Sequence, residues 1–369
     1  MKILVHMKLG DSLVASMLEA VGMVSHVDKI LVVRDYAGPP LPKVEYYCPP
    51  RFVVKLSIVS AIYKFVLLVC LSLFKKPDYV HSYLLFPHGV IAFMAAKLTR
   101  QPVGISLIAG QIELYAIGSP LGVDFSRPPP WLGRLFLWIL KHCDIVTVGT
   151  FLDRDFLIKH GLDEEKIMLF VGSVANNRCR PMDIPKRYDV ISVGRLTPVK
   201  HIEVVLEAIS RVKQRGYEGI KVGIVGDGPC MRSLQELKDV LGLGDNVEFV
   251  GFQSEVQYYF NSARMFILTS EREGGPIALR EAMECGVPPI VSNCGIVPEM
   301  LTDGFNAIVV DRFDDSNAYA DAIVRLIEDE EFRNTLSQNT LSTARANGVE
   351  KAIQAWEAIF DRILSATHS

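Results

Sequence analysis

The sequence lacks the features that typically direct a protein to an oxidising compartment, to nucleic acid or to zinc. Its seven cysteines are scattered, odd in number and without a Cys-x-x-Cys pair, so reduced thiols in a cytosolic enzyme are the simplest interpretation. The net charge of −3 gives no general attraction to nucleic acid, and the sequence shows no zinc-ligand cluster. The first residues, MKILV, lead directly into a predicted strand and do not have the layout of a signal peptide.

What the chain does have is enough apolar sequence for two cores. It contains 369 residues, of which 49% are hydrophobic and 22% charged, and this length suggests two domains. Strands and helices alternate throughout, which predicts parallel sheets covered by helices. The predicted strands are 3–5, 29–33, 79–81, 103–107, 145–148 and 167–170, then 188–193, 221–225, 247–250, 265–269, 289–291 and 307–310, followed by two terminal helices at about 316–329 and 348–365.

A polar, turn-rich stretch at 172–187 separates the two series of strands and is the predicted linker. The predicted fold class is therefore α/β, with two doubly wound Rossmann-like domains facing a cleft. In such sheets ligands bind at the carboxyl ends of the strands.

One long apolar run, residues 56–74, is interrupted only by serines and Lys64 and is followed by two lysines. Its length is close to that of a membrane span. Ser57, Ser60 and Lys64 recur at helical spacing and form a narrow polar stripe. A buried core helix, a helix on a membrane surface and a true span remain open, and the stripe favours the first two.

The most informative stretch starts at Glu273 and continues as Gly274-Gly275-Pro276 into a predicted helix. Gly275 can cap that helix and Pro276 suits its first position. The free amides of the first turn, at Pro276, Ile277, Ala278 and Leu279, then form an attractive site for phosphate. Glu281 lies five residues beyond Pro276, about 7.5 Å along the axis. It can reach a ribose while a diphosphate occupies the helix end.

Two further loops follow predicted strands. Gly194-Arg195 and, five residues after Arg195, Lys200 supply a planar guanidinium and a point charge, both suited to phosphate. Gly226 and Gly228 flank Asp227 in a turn that allows a close backbone approach. Taken alone, each loop is equally consistent with an ordinary connection between a strand and a helix.

Taken together, these motifs resemble retaining nucleotide-sugar glycosyltransferases of glycosyltransferase family 4. Glu273 and Glu281 form that family's Glu-x7-Glu signature, and Arg195 and Lys200 match its basic loop. The resemblance is close over 188–310 and weaker over 1–175. It implies a glycosyltransferase B-type fold with an acceptor domain at 1–175, on which the C-terminal helix at about 348–369 packs back, and a donor domain at 176–347.

The resemblance also implies roles for single residues. Glu273, Arg195 and Lys200 are the expected catalytic residues, with Glu273 on the donor sugar and the two cations on the departing diphosphate. Glu281 is expected on the ribose. The remaining donor-binding residues implied are Gly10, Gly194, Gly226, Gly228, Gly274, Gly275, Pro276, Ile277, Ala278 and Leu279.

The first domain departs from the family pattern in two places. The loop after the first strand has only Gly10 where the family usually has two glycines, and the second departure follows the strand 103–107. The family often places His-Gly after the strand 103–107, whereas this chain has Ala109-Gly110. The histidine role is therefore absent or moved to Gln111 or Glu113. His88 has either a structural or acceptor-side role or a position near the reaction centre, since histidine serves both uses. An Asp-x-Asp sequence begins at Asp153. Its carboxylates are better explained as acidic residues at the start of a helix than as ligands of a metal ion.

The expected activity is metal-independent transfer of a hexose from a nucleotide-sugar to a hydroxyl with retention, in surface polysaccharide or glycolipid synthesis. No cofactor is expected. The expected partners are the nucleotide-sugar, a sugar or lipid-linked sugar acceptor and an anionic membrane, with no nucleic acid. The expected location is the cytoplasm, including the inner face of the membrane. Two alternatives are a nucleotide-sugar epimerase of the same architecture and a non-catalytic two-domain sugar-binding protein.

Overall fold

The structure is a computed structural model that describes residues 1–108, 110, 112–115, 130–169, 179–273 and 275–368. The chain divides into two compact units, Met1–Val174 with Val349–Ser369, and Ala175–Gly348. Each unit is a Rossmann-like α/β domain built on a parallel sheet, as the sequence predicted.

In the first unit, the described residues form a sheet of seven parallel strands in the order β3-β2-β1-β4-β5-β6-β7. The inner strands are continuous apolar runs because helices cover both faces of the sheet. β3 was not predicted. It is a short strand with half-buried side chains at the edge of the sheet, so it lacks the apolar run that marks the others. The strands are β1 Lys2–His6, β2 Lys29–Val33, β3 Val44–Tyr47, β4 Tyr79–Tyr83, β5 Val103–Leu107, β6 Ile145–Val148 and β7 Ile167–Leu169.

Helices lie on both faces of this sheet. They are α1 Asp11–Met23, α2 Arg51–Val54, α3 Ser57–Lys75, α4 Val90–Thr99, α5 Ile112–Tyr115, α6 Pro130–Lys141, α7 Phe151–Lys159 and, from the end of the chain, α15 Val349–His368. Short helical turns occupy Leu85–Gly89 and Glu164–Lys166. α15 belongs to this unit because Trp356 and Phe360 are buried in one core with α1 and β1.

α3 is the helix that the apolar run 56–74 predicted. It is long and apolar enough to cross a membrane, but only 28% of it is buried, so it is a core helix on one side only. Two of the three residues of its polar stripe face inward: Ser60 and Lys64 are buried, whereas Ser57 is exposed. Lys64 Nζ lies 2.5 Å from Asp35 Oδ1, just after β2. The face left exposed is therefore apolar.

In the second unit, the described residues form a sheet of six parallel strands in the order β10-β9-β8-β11-β12-β13. Val190, Ile191 and Phe266 are fully buried in its two cores. The strands are β8 Tyr188–Val193, β9 Val222–Val225, β10 Val247–Gly251, β11 Ala263–Leu268, β12 Pro289–Ser292 and β13 Ile308–Val310.

The helices of this unit are α8 Ile202–Gln214, α9 Met231–Val240, α10 Gln257–Asn261, α11 Ile277–Glu284, α12 Val297–Met300, α13 Ser316–Glu328 and α14 Glu330–Ala346, with a helical turn at Pro198–Lys200. Both predicted terminal helices are present, as α13 and α15. The helix α14 between them was not predicted. Asp329 accepts the amide hydrogen of Phe332 and caps α14. α14 buries only a few residues, among them Leu336 and Ala344, so its apolar pattern is weak.

Each sheet reverses its strand order at one point. In the first unit the reversal lies between β1 and β4, and in the second between β8 and β11. The loops that leave the carboxyl ends of these strands diverge at the reversal, and open α/β sheets bind their ligands there. In the second unit the two loops carry Lys200 and Glu273.

Candidate active site

The loops after β8 and β9 pack together so closely that two positions require glycine. A Cβ on Gly226 would lie 1.8 Å from the carbonyl oxygen of Gly194, and one on Gly228 would lie 2.2 Å from that of Leu196. Hydrogen bonds join the loops, since Leu196 N donates to Asp227 O at 2.9 Å and Cys230 N donates to Leu196 O at 3.1 Å. The two glycines therefore allow the close approach, and the hydrogen bonds hold the loop of Arg195 and Lys200 against its neighbour.

Lys200 and Glu273 are in direct contact. Lys200 Nζ donates a hydrogen bond to Glu273 Oε1, and Ser270 Oγ donates to the same oxygen at 2.8 Å. The two side chains are only 19% and 15% exposed, so water screens the pair less than it screens a surface ion pair. The sequence had suggested separate contacts for the two residues, one with diphosphate and one with sugar. In the structure the two side chains form an ion pair.

Hydrogen bonds to the backbone of the Lys200 loop hold this pair in position. Thr269 Oγ1 donates to Lys200 O at 2.8 Å, and Glu271 N donates to Val199 O at 3.0 Å. The loop after β8 is thus hydrogen-bonded to the loop after β11. The pair is consequently held at the strand reversal by groups outside the pair itself.

α11 starts next to this loop, one residue later than predicted. Pro276, and not Gly275, stands at the cap position, with φ −64° and ψ 117°, and the helix begins at Ile277. Arg280 N donates to Pro276 O at 3.4 Å. The amides of Ile277, Ala278 and Leu279 precede the first helical hydrogen bond and have no intrahelical acceptor. Their partial positive charge can meet an anion.

Glu281 lies further along α11 in a desolvated position. Burial raises the pKa of its carboxyl to about 7, and burial together with the charge of Glu281 raises the pKa of Glu284 to about 8. Within the described residues the Glu281 carboxyl has no hydrogen bond or ion pair. A half-buried carboxyl of this kind can accept hydrogen bonds from a diol such as that of ribose.

The other predicted residues differ in how they are placed. Arg195 is exposed, and its guanidinium makes no ion pair within the described ranges. Gly275 and Gly10 face open space, since a Cβ on either would meet no atom within 4 Å. Gly10 lies in the first unit, where it caps α1. Gly274 lies outside the described residues.

Sequence reasoning missed two groups beside the Lys200–Glu273 pair. Ser270 donates to Glu273, as described above. Cys294, in the turn after β12, lies next to Glu273 and 3.5 Å from Ser292 Oγ, and burial raises the pKa of its thiol. Ser270 belongs to the same loop as Glu273, three residues earlier, but no motif marked it. Cys294 comes from the loop after β12, which only the folding of the sheet brings beside Glu273.

The candidates of the first unit have local structural partners. Glu113 accepts the amide hydrogen of Leu85 at 2.6 Å, and His88 is buried against the ring of His6. Burial lowers the pKa of His88 to about 4, so it is neutral at pH 7. Ala109 and Gln111 lie outside the described residues.

Asp153 lies in the first turn of α7, where Thr150 Oγ1 donates to its carboxylate at 2.7 Å and also caps the helix. The carboxylate thus serves a helix start, as the sequence suggested. Across the residues that the structure describes, no group of three or more His, Cys, Asp or Glu side chains could hold a metal ion.

Comparison with known families identifies the second unit. Residues 181–343 match the family model described as Glycosyl transferases group 1. This range contains Lys200, Glu273 and the whole of α11. The second unit is therefore similar to the glycosyl transferases of group 1 over residues 181–343.

Two curated proteins illustrate the similarity over longer stretches. The chain is 23% identical to N-acetyl-alpha-D-glucosaminyl L-malate synthase of Bacillus anthracis over 298 residues, which is 78% of this chain and 75% of the relative. It is 32% identical to the lipopolysaccharide core biosynthesis glycosyltransferase LpsD of Rhizobium meliloti over 174 residues, 47% of this chain and 49% of the relative. The chain thus spans three quarters of the first relative and about half of the second.

Among solved structures, that of Anabaena HepE in complex with UDP and glucose aligns with a TM-score of 0.76 at 19% identity. The alignment covers 98% of this chain and 99% of HepE. This likeness shows the fold, which is the glycosyltransferase B-type fold with two parallel-sheet Rossmann-like domains.

Proposed function

We propose that this protein is a retaining, metal-independent glycosyltransferase related to glycosyltransferase family 4. It would transfer a hexose from a nucleotide-sugar to a hydroxyl acceptor in surface polysaccharide or glycolipid synthesis. The observation that carries this proposal is the Lys200–Glu273 pair. It is held at the strand reversal next to the start of α11, within a unit similar to the glycosyl transferases of group 1.

In the proposed reaction, the bond between the anomeric carbon and the phosphate oxygen breaks, and a bond from the acceptor oxygen to that carbon forms on the same face. The acceptor proton passes to the leaving phosphate oxygen. Lys200, Arg195 and the first amides of α11 stabilise the negative charge that grows on the diphosphate. Fixed protein cations take the place of a metal in this scheme.

Glu273 is proposed to accept hydrogen bonds from hydroxyls of the donor sugar, and Glu281 from the ribose. Since Glu273 already pairs with Lys200, sugar and diphosphate would be recognised by adjoining groups. The Glu281 carboxyl has the desolvated, unpaired setting that a diol would satisfy.

The donor is proposed to be a UDP-sugar, because HepE of the same fold was solved with UDP and glucose. The decisive experiment incubates the full chain with a panel of UDP-, GDP- and ADP-sugars and measures nucleoside diphosphate release with and without lipid-linked sugar acceptors. Acceptor-dependent release supports transfer. Conversion of the donor sugar without any acceptor would support an epimerase instead.

We also propose that the first unit binds the inner face of an anionic membrane through the exposed side of α2 and α3. Between residues 51 and 76 the sequence contains five basic residues and no acidic residue, and all of the basic residues except the buried Lys64 are exposed. Anionic lipids attract each basic residue near the surface by ~1 kcal/mol. The exposed apolar side chains of this face are Phe52, Leu56, Ile58, Val59, Ile62, Tyr63, Val66, Leu73 and Phe74.

Flotation with liposomes tests this contact. The protein should float with anionic vesicles at low salt, and Phe74→Glu should reduce the floated fraction strongly, because Phe74 is 82% exposed at the end of α3. Val240→Glu is the matched control, since Val240 is equally exposed but lies in the second unit. If the wild-type protein stays in the bottom fraction, α3 has no membrane role.

A further inference from the structure

A pocket lies at the strand reversal of the first unit and is lined only by residues of that unit. Its volume is about 300 Å3, which is at the lower end of the range for small-molecule sites. Lys8 follows β1, Asp35 follows β2 and His88 follows β4, and α3 closes one side. The position corresponds to that of the Lys200–Glu273 pair in the second unit. The first unit thus has its own place for a ligand.

One end of this pocket is charged. Lys64 Nζ lies 2.5 Å from Asp35 Oδ1, and Lys8 Nζ lies 3.4 Å from Asp35 Oδ2. The side chains of Lys64 and Asp35 are each 8% exposed, whereas Lys8 is 56% exposed. Two lysines therefore face one carboxylate, which leaves one positive charge unmatched among these three groups. An anion placed beside Lys8 would balance it.

A buried polar atom in the same pocket also lacks a partner. Ser60 is 4% exposed, and its hydroxyl makes no hydrogen bond to any part of the chain that the structure describes. A buried hydroxyl without a partner costs free energy that a ligand oxygen would recover. Together with Lys8 and Lys64, Ser60 provides donors for the oxygens of a phosphate.

The rest of the pocket wall is mostly apolar. It includes Ile58 and Ile62 of α3 together with Phe86 and Ile91. Ile58 and Ile62 are 70% and 59% exposed, so the wall continues into the apolar surface of the helix. A ligand with a charged head and an apolar chain matches this lining along its whole length.

We propose that this pocket binds a prenyl or alkyl phosphate, the single-chain lipid that carries the acceptor sugar. The pocket would hold the phosphate head and the first part of the chain. The proposal rests on the proposed function, because it makes this pocket the anchoring site of the lipid-linked acceptor. The head lies at Lys8, Lys64 and Ser60, and the chain follows Ile58 and Ile62 toward the membrane. The acceptor enters from the lipid along α3.

Calorimetry with farnesyl monophosphate, kept below its micelle concentration, tests the site on the full chain. One molecule should bind per chain, at least tenfold more tightly than farnesol or inorganic phosphate. Lys8→Ala and Ile62→Glu should each weaken binding at least tenfold. Both residues are largely exposed, so the variants should keep the thermal unfolding midpoint of the wild type. Leu98→Glu is the matched control, because Leu98 is an exposed apolar residue of α4 outside the pocket, and it should bind like the wild type.

Absence of farnesyl monophosphate binding by the wild type would overturn the proposal, as would equal loss in Ile62→Glu and Leu98→Glu. If farnesol binds as tightly as farnesyl monophosphate, the pocket does not recognise the phosphate. If inorganic phosphate binds as tightly, the pocket does not recognise the apolar chain. UDP binding is measured on the same samples. If UDP fails to bind while farnesyl monophosphate binds as expected, the proposed function fails and the pocket stands. If UDP binds and farnesyl monophosphate does not, the proposed lipid site is refuted and the proposed function is not affected.

Discussion

Replacing Glu273 with glutamine separates recognition of the diphosphate from recognition of the sugar. In the structure Glu273 accepts hydrogen bonds from Lys200 and Ser270. Glutamine has nearly the same shape and can still bond to Ser270, but it carries no charge. Lys200 then loses its counter-ion and becomes fully available to a phosphate. We expect sugar transfer to fall while binding of the free nucleoside diphosphate is kept.

The magnitudes follow from the partial burial of the pair. Two charges about 4 Å apart attract by ~4 kcal/mol at an effective dielectric of 20, and desolvation and side-chain ordering reduce the net value to ~1 kcal/mol for a pair near the surface. Releasing Lys200 should therefore leave UDP affinity unchanged or raise it up to about fivefold. Losing a charged hydrogen bond to a sugar hydroxyl costs ~1.5–3 kcal/mol, which lowers transfer by about 10- to 150-fold.

Calorimetry with UDP and initial transfer rates measure the two effects. Glu271→Gln is the matched control, because Glu271 lies two residues away and faces His201 and Arg272 instead of Lys200. Glu281→Gln should behave in the opposite way and weaken UDP binding, since Glu281 is assigned to the ribose. If Glu273→Gln binds UDP tenfold more weakly while Glu281→Gln binds normally, the roles of the two carboxylates are reversed.

Three further predictions follow from the same site. Arg195→Ala should lower transfer by about a hundredfold, the usual cost of one preorganised charge at a leaving group, and near-normal turnover would remove its diphosphate role. Transfer should persist in excess EDTA, whereas loss that magnesium restores would indicate a metal site. The third concerns Glu281, whose pKa burial raises to about 7 from its ordinary 4.5. The folded chain keeps a proton that the unfolded chain has lost, so this carboxyl lowers stability as pH rises from 4.5 to 7. In urea unfolding Glu281→Gln should therefore gain stability relative to the wild type between pH 5 and pH 8, by up to about 3 kcal/mol, and a constant difference would contradict the assignment.

Apart from β3, the strands of both sheets could be predicted because each is a short, nearly continuous apolar run next to a glycine or a charged loop. Strands such as β1 and β8 are buried on both faces, so their pattern is strong. β3 and α14 were missed since each buries little apolar surface. β3 gains its place from pairing with β2, and pairing with a distant strand leaves no local signal.

α3 shows a different limit of sequence reasoning. Its polar stripe was visible, and its helical spacing was correct. Polar stripes usually face water, but Ser60 and Lys64 of this one face inward, and Asp35 is buried opposite Lys64. The direction of the stripe depends on a partner 29 residues away, which the pattern of the helix alone does not contain.

The sequence by itself determined the two-domain α/β class, the residues of the basic loop and the Glu-x7-Glu stretch, because backbone propensity, hydrophobic period and motif spacing are local properties. Only the tertiary structure decided that Lys200 and Glu273 form one pair, that Glu281 is desolvated, and that Lys8, Asp35 and Lys64 share a pocket. Contacts and desolvation depend on residues far apart in the chain that meet when the parallel strands bring their carboxyl ends to one edge of the sheet.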